Sequence, residues 1–264
     1  MRQRGRLVRR ARLAKTLHHA GVTERRLHWD GCVNVRDLGG HPIGDGRGRT
    51  AFRAVVRADS IRLLSDEGWD ALVAYGVRTI VDLRSPVELE ADPPRHVPVE
   101  VVHVPLFDPR NEEATAAMDA WSTTEDAYLE MLERLRPSFV QAIQAIAQAP
   151  EGAVLVHCMG GKDRTGLVVA LLLTLVGVSP EQIAEDYGLS ALNLAPRSAR
   201  WIEQAVDETE REWRRRVVRG EPQSMLHVLV EFEARHGSVR DYLLAGGATE
   251  EEIDRAQARL LAAP

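Results

Sequence analysis

Two hydrophobic periods run along this chain. Short apolar stretches rich in β-branched residues, Phe52–Arg57, Val77–Leu83, Val99–Pro105 and Ala153–His157, place apolar side chains on both sides of an extended backbone, the pattern of strands inside a sheet. Elsewhere the period lengthens. Ser65–Tyr75 opens on a cap-like Ser-Asp-Glu and carries Trp69, Leu72 and Val73 at helical spacing. Beyond Thr124 the chain reads as helical: TEDAYLEMLERLR is followed by PSFVQAIQAIAQA, with Pro137 at the first position of the new helix. SPEQIAEDY, then PRSARWIEQAVDETEREWRRRVVRG as one arginine-dense helix over Arg197–Arg219, then PQSMLHVLVEFEARHG, VRDYLLAGG and TEEEIDRAQARLLAA complete a helical C-terminal third. Strands alternating with helices predict an α/β fold, a mostly parallel central sheet flanked by helices.

Composition sharpens this picture in three places. The 264 residues, 44% of them hydrophobic, suffice for one large domain, expected over residues 27–264. The formal net charge of −5 hides an asymmetry: residues 1–26 carry nine Lys and Arg and a single acid, leaving 25 basic and 38 acidic residues in the rest. That segment reads as a separate, flexible basic arm, and it lacks the continuous apolar stretch of a secretory signal. Two cysteines, Cys32 and Cys158, are too few for a disulfide framework or a thiolate metal cage, which fits a reducing, cytoplasmic setting. The most apolar window, Gly166 to Val178, falls short of the ~20 residues a bilayer needs, so it predicts a buried helix and no stable membrane insertion. The arginines of 197–219 alternate with Glu203, Asp207, Glu208, Glu210 and Glu212, which argues for a solvated face and against nucleic-acid binding.

The chemistry concentrates in VLVHCMGGKDRTGLVVALLLTL, Val154 to Leu175. A strand ending at His157, a turn through Met159, Gly160 and Gly161, and a helix starting near Thr165 leave a row of backbone N–H groups without intrahelical partners, converging on one point. Such a nest binds a tetrahedral oxyanion, and the two glycines supply positive φ for the tight curl. Cys158 and Arg164 stand in C-x5-R spacing at the two ends of this loop. The helix dipole, the converging amides and a permanent guanidinium all favour a thiolate at Cys158. Arg164 offers a planar fork for two phosphoryl oxygens. A Walker A loop is excluded because Lys162 is followed by Asp163, with no hydroxyl placed for magnesium. Zinc is disfavoured because His157 and Cys158, being adjacent, point to opposite sides of the strand.

HCMGGKDRTG between a strand and a helix resembles the phosphate loop of the cysteine-dependent protein tyrosine phosphatases, and within them the atypical bacterial branch reading HCxxGKDRTG. The likeness extends to NVRDLGG (Asn34–Gly40), RADSIRLLSDEG (Arg57–Gly68) and GVRTIVDLRSPVE (Gly76–Glu88). It implies a dual-specificity-like cysteine-phosphatase fold and a metal-independent, cofactor-free reaction in which Cys158 forms a phosphocysteine that water then hydrolyses. Phosphatases with a Lys-Asp-Arg loop look as though they use the aspartate, here Asp163, as general acid and base; Asp108, after a predicted strand, is the rival acid, with an ordinary turn residue as its plainer reading. Lys162 would add charge at the mouth, suiting substrates with several phosphates such as phosphoinositides. Thr165 would assist the departing thiolate or cap the helix, Gly166 continues the loop motif, and His157 would orient the loop through a backbone hydrogen bond. Asn34, Arg36 and Asp37 are expected at the pocket rim or bridging to the loop, with a structural Arg–Asp pair as the alternative. Arg84, at the carboxyl end of a strand, falls on the ligand-binding face of a parallel sheet. Cys32 reads as a core residue, or else as a redox partner of Cys158. The expected substrate is phosphotyrosine in protein, with inorganic phosphate as product; a phosphoinositide, a catalytically silent phosphate-binding module, and a rhodanese-like or arsenate-reducing enzyme are the alternatives.

Overall fold

The computed structural model describes residues 24–46, 48–93, 99–110 and 123–261; most of the predicted basic arm, residues 1–23, lies outside them. Five strands, β1 (Arg36–Asp37), β2 (Val55–Ala58), β3 (Val77–Asp82), β4 (Glu100–His103) and β5 (Ala153–His157), form one sheet in the order β1-β2-β5-β3-β4. β1 runs antiparallel to β2, and every other pairing is parallel. β5 takes the centre because all five of its residues are apolar or able to be buried, and each is at most 2% exposed. Its side chains alternate between two cores. Val154 and Val156 join the larger one, while Ala153 and Leu155 join the smaller one beneath Trp29, Trp69 and Leu72.

Ten helices surround the sheet among the described residues: α1 (Asp66–Tyr75), α2 (Pro86–Ala91), α3 (Thr124–Arg134), α4 (Arg136–Gln148), α5 (Asp163–Leu175), α6 (Pro180–Glu203), α7 (Glu208–Val217), α8 (Pro222–His236), α9 (Val239–Ala245) and α10 (Glu250–Leu261). α1 covers the smaller core; α3 to α6 and α8 to α10 contribute to the larger. α5 is apolar all round because it is enclosed all round, with Thr165 through Leu173 buried. The α/β architecture with a mostly parallel sheet is as the hydrophobic pattern predicts.

Four local differences have physical causes. The start of the predicted strand Phe52–Arg57 is a turn: Arg53 takes φ +61° and its amide donates to the Asp37 carboxylate at 2.8 Å, so pairing begins at Val55. β1 was not expected, since two residues carry no readable period. β4 is an edge strand with Glu100, Val101 and His103 exposed, not an interior one. The helix expected over 197–219 is two pieces: α6 runs straight through Pro196 to Glu203, and Asp207 caps α7 by accepting from the Glu210 amide at 2.7 Å. Pro196 is tolerated because the carbonyl it deprives of a donor belongs to Leu192, 71% exposed, where water can serve instead.

Candidate active site

β5 ends at His157 and α5 begins at Asp163, leaving Cys158–Lys162 as a loop at the carboxyl end of the central strand, where parallel sheets bind ligands. Cys158 is 2% exposed, at the floor. Gly161 has φ +62°, and a Cβ there would fall 2.1 Å from the Ala58 carbonyl oxygen, so glycine is required twice over. Gly160 is different: it has no positive φ, and a Cβ would meet only Leu194 Cδ1 at 3.6 Å. The curl therefore needs one left-handed glycine, not two. Its carbonyls are pinned from outside. Asn34 Nδ2 donates to Gly160 O (3.0 Å) and Gly161 O (3.2 Å), Arg57 Nη2 donates to Gly161 O (2.8 Å), and the Ser60 amide donates to Met159 O (2.9 Å). In a planar trans peptide a carbonyl held one way turns the next N–H the other way, the orientation an anion nest needs. Asp59 fixes the Asn34 segment by accepting its amide at 3.0 Å and Arg197 Nη1 at 2.7 Å.

Arg164 is held by a residue that the motif does not include. Glu88 receives it at both oxygens, Nη1 at 2.5 Å and Nη2 at 2.7 Å, while also capping α2: the Ser85 amide donates to Glu88 Oε2 (2.6 Å) and the Glu88 amide to Ser85 Oγ (3.2 Å). The Ser-Pro-Val-Glu capping box closes the first turn of α2; its second duty depends on α2 lying beside α5. Burial works to raise the Glu88 carboxyl, but Arg164 and Ser85 outweigh it and hold it below its ordinary value. Arg164, in turn, is raised despite its burial by Glu88 and by the nearby Cys158 and Asp163.

Asp163 and Lys162 also arrive paired. Lys162 Nζ lies 2.6 Å from Asp163 Oδ1 and 2.7 Å from the Arg219 carbonyl oxygen. Tyr128, from α3, donates its hydroxyl to Asp163 Oδ1 and meets the Tyr187 hydroxyl at 2.8 Å. Burial tends to raise Asp163, but Lys162, Tyr128 and Arg164 together keep the carboxyl below its ordinary range. Lys162, expected as free charge at the mouth, is 5% exposed and already spans two acceptors, its ammonium 6.0 Å from the centre of the Tyr187 ring. Tyr128 and Tyr187 were not foreseen, because nothing local links α3 to the loop.

The remaining predicted residues separate. His157 is fully buried, its Nδ1 3.2 Å from the Cys158 carbonyl oxygen and its Nε2 3.5 Å from Asp82; burial lowers its pKa, so it is a neutral prop. Thr165 Oγ1 is buried with no hydrogen-bond partner. Gly166 packs on Tyr187, whose Cδ2 a Cβ would meet at 3.2 Å, and Met159 is 41% exposed at the rim. Arg36 reaches the site only through Asn34, donating to its Oδ1 at 2.7 Å. Asp37 does not bridge to the loop: adjacent residues of a strand face opposite sides, and its carboxylate serves the amides of Gly39 (2.6 Å) and Arg53 and the Tyr75 hydroxyl. Arg84 is fully buried and has other partners, Nη2 donating to Asp82 Oδ2 (2.7 Å) and Nη1 to the Asp92 carbonyl (3.1 Å). Asp108 is half-exposed and takes a bidentate grip from Arg110, at 3.0 and 2.9 Å. Cys32 donates to the Ser60 carbonyl at 3.4 Å, and burial and Asp59 raise its thiol, the opposite of a reactive sulfur. Among the described residues no group of three or more His, Cys, Asp or Glu could hold a metal ion, and no helix is long and apolar enough to cross a membrane.

The chain is similar to several known proteins. A tyrosine-protein phosphatase of Nostoc commune is 32% identical over 225 residues, covering 78% of this chain and 74% of its own. The triple specificity protein phosphatase PtpB of Mycobacterium tuberculosis is 28% identical over 210 residues, covering 67% and 74%. Among solved structures, TpbA of P. aeruginosa aligns over 51% of this chain and 67% of its own at 23% identity with a TM-score of 0.30. The sequence profile of the tyrosine phosphatase family matches residues 27–262, nearly the whole chain. The chain therefore belongs to the tyrosine phosphatase family.

Proposed function

We propose that this chain hydrolyses phosphotyrosine in proteins through a phosphocysteine on Cys158. The observation that carries this is the loop itself: a buried Cys158 at the end of β5, the Gly160 and Gly161 carbonyls held from outside by Asn34 and Arg57, and Arg164 in the first turn of α5. In the first step the Cys158 thiolate attacks phosphorus, the ester P–O bond breaks, and Asp163 gives its proton to the leaving oxygen. In the second, Asp163 takes a proton from water, water's oxygen bonds to phosphorus, the S–P bond breaks and inorganic phosphate leaves. Arg164 moves from Glu88 toward the phosphoryl oxygens, exchanging one bidentate carboxylate for another oxyanion of the same geometry. The unpartnered Thr165 hydroxyl is available to the departing thiolate.

The phosphoinositide alternative drew its support from Lys162 as spare charge at the mouth, and Lys162 is engaged by Asp163 and Arg219. The silent-module reading requires damage at the nucleophile, arginine or acid, and all three stand intact. We take residues 27–264 as one catalytic domain preceded by the basic arm, working in a reducing cytoplasm that keeps Cys158 unpaired.

Hydrolysis of aryl phosphates without added metal tests the reading. Cys158→Ser should abolish turnover, and Asp163→Asn should slow it about 10²–10⁴-fold for a poor leaving group and much less for a good one. Asp108→Asn should match wild type. The reverse pattern for the two aspartates would transfer the acid role to Asp108.

A further inference from the structure

We infer that Asp186 is a positioning residue for phosphate binding: through Arg57 on one side and Arg36 and Asn34 on the other, its buried carboxylate holds the Gly160 and Gly161 carbonyls outward. The inference rests on reading Cys158–Arg164 as a phosphate loop.

Asp186 lies in α6, in the segment SPEQIAEDY that the catalytic motif leaves unused. Three guanidiniums converge on it. Arg57 Nη1 reaches Oδ2 at 2.8 Å, Arg36 reaches Oδ1 through Nε at 3.0 Å and Oδ2 through Nη2 at 3.1 Å, and Arg25 Nη1 reaches Oδ1 at 2.8 Å. The side chains involved are between 1% and 7% exposed. Burial would raise the carboxyl, but the three cations override it and hold Asp186 well below the usual carboxylate range. Ser190, one turn further along the same face of α6, accepts from Arg36 Nη2 (2.9 Å) and Arg57 Nη2 (3.2 Å).

A guanidinium is a rigid fork, so fixing one prong aims the other. With Nη1 on Asp186, Arg57 presents Nη2 to the Gly161 carbonyl at 2.8 Å. With Nε and Nη2 on Asp186, Arg36 presents Nη1 to Asn34 Oδ1 at 2.7 Å, which orients the Asn34 amide toward the carbonyls of Gly160 and Gly161. Both arms end on the Gly161 carbonyl, and the Asn34 arm reaches the Gly160 carbonyl as well. Arg25 belongs to the cluster but not to the arms: its second contact is His41 Nε2, at 2.5 Å. A brace that only fastened α6 to the sheet would need neither the loop carbonyls nor this division of labour.

The test uses the full chain, with orthovanadate affinity from competitive inhibition and kcat and KM for an aryl phosphate, each variant checked for folding by circular dichroism. Arg57→Met should weaken vanadate about 10–100-fold, the loss expected for one charge-assisted hydrogen bond that shapes the site, with KM rising in parallel. Arg57→Lys should behave like Arg57→Met, because one ammonium cannot span Asp186 and the Gly161 carbonyl together; a role in charge balance alone would be rescued by lysine. Arg25→Met should stay within about threefold of wild type. Asp186→Asn should lose at least as much as Arg57→Met, and if it does not fold the Arg57 pair decides. Folded Arg57 variants that bind vanadate as tightly as wild type, or an Arg25→Met that loses as much as they do, would overturn the inference. A wild-type chain that neither binds vanadate nor hydrolyses aryl phosphate would instead mark failure of the phosphate-loop reading, and the inference would fall with it.

Discussion

At Asp163 the ionisation state is a balance among neighbours. Burial favours the protonated acid, while Lys162 at 2.6 Å, the Tyr128 hydroxyl and Arg164 favour the carboxylate and prevail. The free site therefore favours the Asp163 carboxylate over the protonated acid. Removing the strongest opposing cation should therefore raise its pKa. In Lys162→Met the descending limb of kcat/KM against pH should move to higher pH, since the acid stays protonated longer, and Tyr128→Phe should move it the same way. An unmoved limb in both variants would mean that another group donates the proton. Arg164 is balanced in a similar way: Glu88 holds it through Nη1 and Nη2 in the free site, so no bare cation is buried.

Elements differ sharply in how they are held. α5 is enclosed by the larger core, so its first turn, which carries Asp163 and Arg164, starts from a fixed base. α7 is the opposite case, with no residue buried. It leans on α6 through the Trp213 ring, 5.6 Å edge-on from Trp201, and through the Arg214 guanidinium, 4.8 Å over the same ring. Two residues past its end, the Arg219 carbonyl receives Lys162. Trp213→Ala should therefore release α7 alone: amide exchange over residues 208–217 should rise about 2–10-fold, from the loss of one aromatic pair, while the melting temperature falls by less than about 2 °C. Unchanged exchange there, or a drop in global stability, would show that α7 is anchored by something other than the two tryptophans.

For the molecule as a whole, the buried histidines and the ion-paired carboxylates weaken the fold in acid, while Asp37, whose carboxyl burial raises, acts in the opposite sense. Burial pushes the His41 imidazole down to about 3 from its ordinary 6.5, with Arg25 adding to the effect, and burial lowers His157 as well. The unfolded chain protonates both below about pH 6.5 while the folded chain does not, so stability is full above that pH and is lost as pH falls toward the folded values. Asp186, Glu88 and Asp82 add a second window: each lies below its ordinary value in the fold, so their contribution is present above about pH 4.5 and fades below it. Urea unfolding should show stability falling between pH 7.5 and 5 by up to about 1.4 kcal/mol per pH unit for each such histidine. His41→Gln should flatten part of that slope. A wild-type stability level across this range would mean that both histidines take up protons in the native state as readily as in the unfolded chain.

The sequence by itself determined the α/β class, the strand-loop-helix around Cys158, and the order of Cys158, Asp163 and Arg164 along the loop, because these follow from hydrophobic period and from residues within ten positions of one another. It also carried the loop's left-handed glycine, although both Gly160 and Gly161 were expected at positive φ and only Gly161 takes it. Tertiary structure alone decided the groups that hold the loop. Glu88, Tyr128, Arg57 and Asp186 stand far from Cys158 along the chain, and only the parallel crossovers and the packing of α3 and α6 bring them to it. The same packing moved Lys162 from the mouth into the interior and left Asp37, Arg84 and Asp108 with other partners. The physical reason is reach: period and spacing report what a residue's near neighbours require, while the partner of a buried charge is whichever group the fold places within about 3 Å, and no local signal encodes that choice.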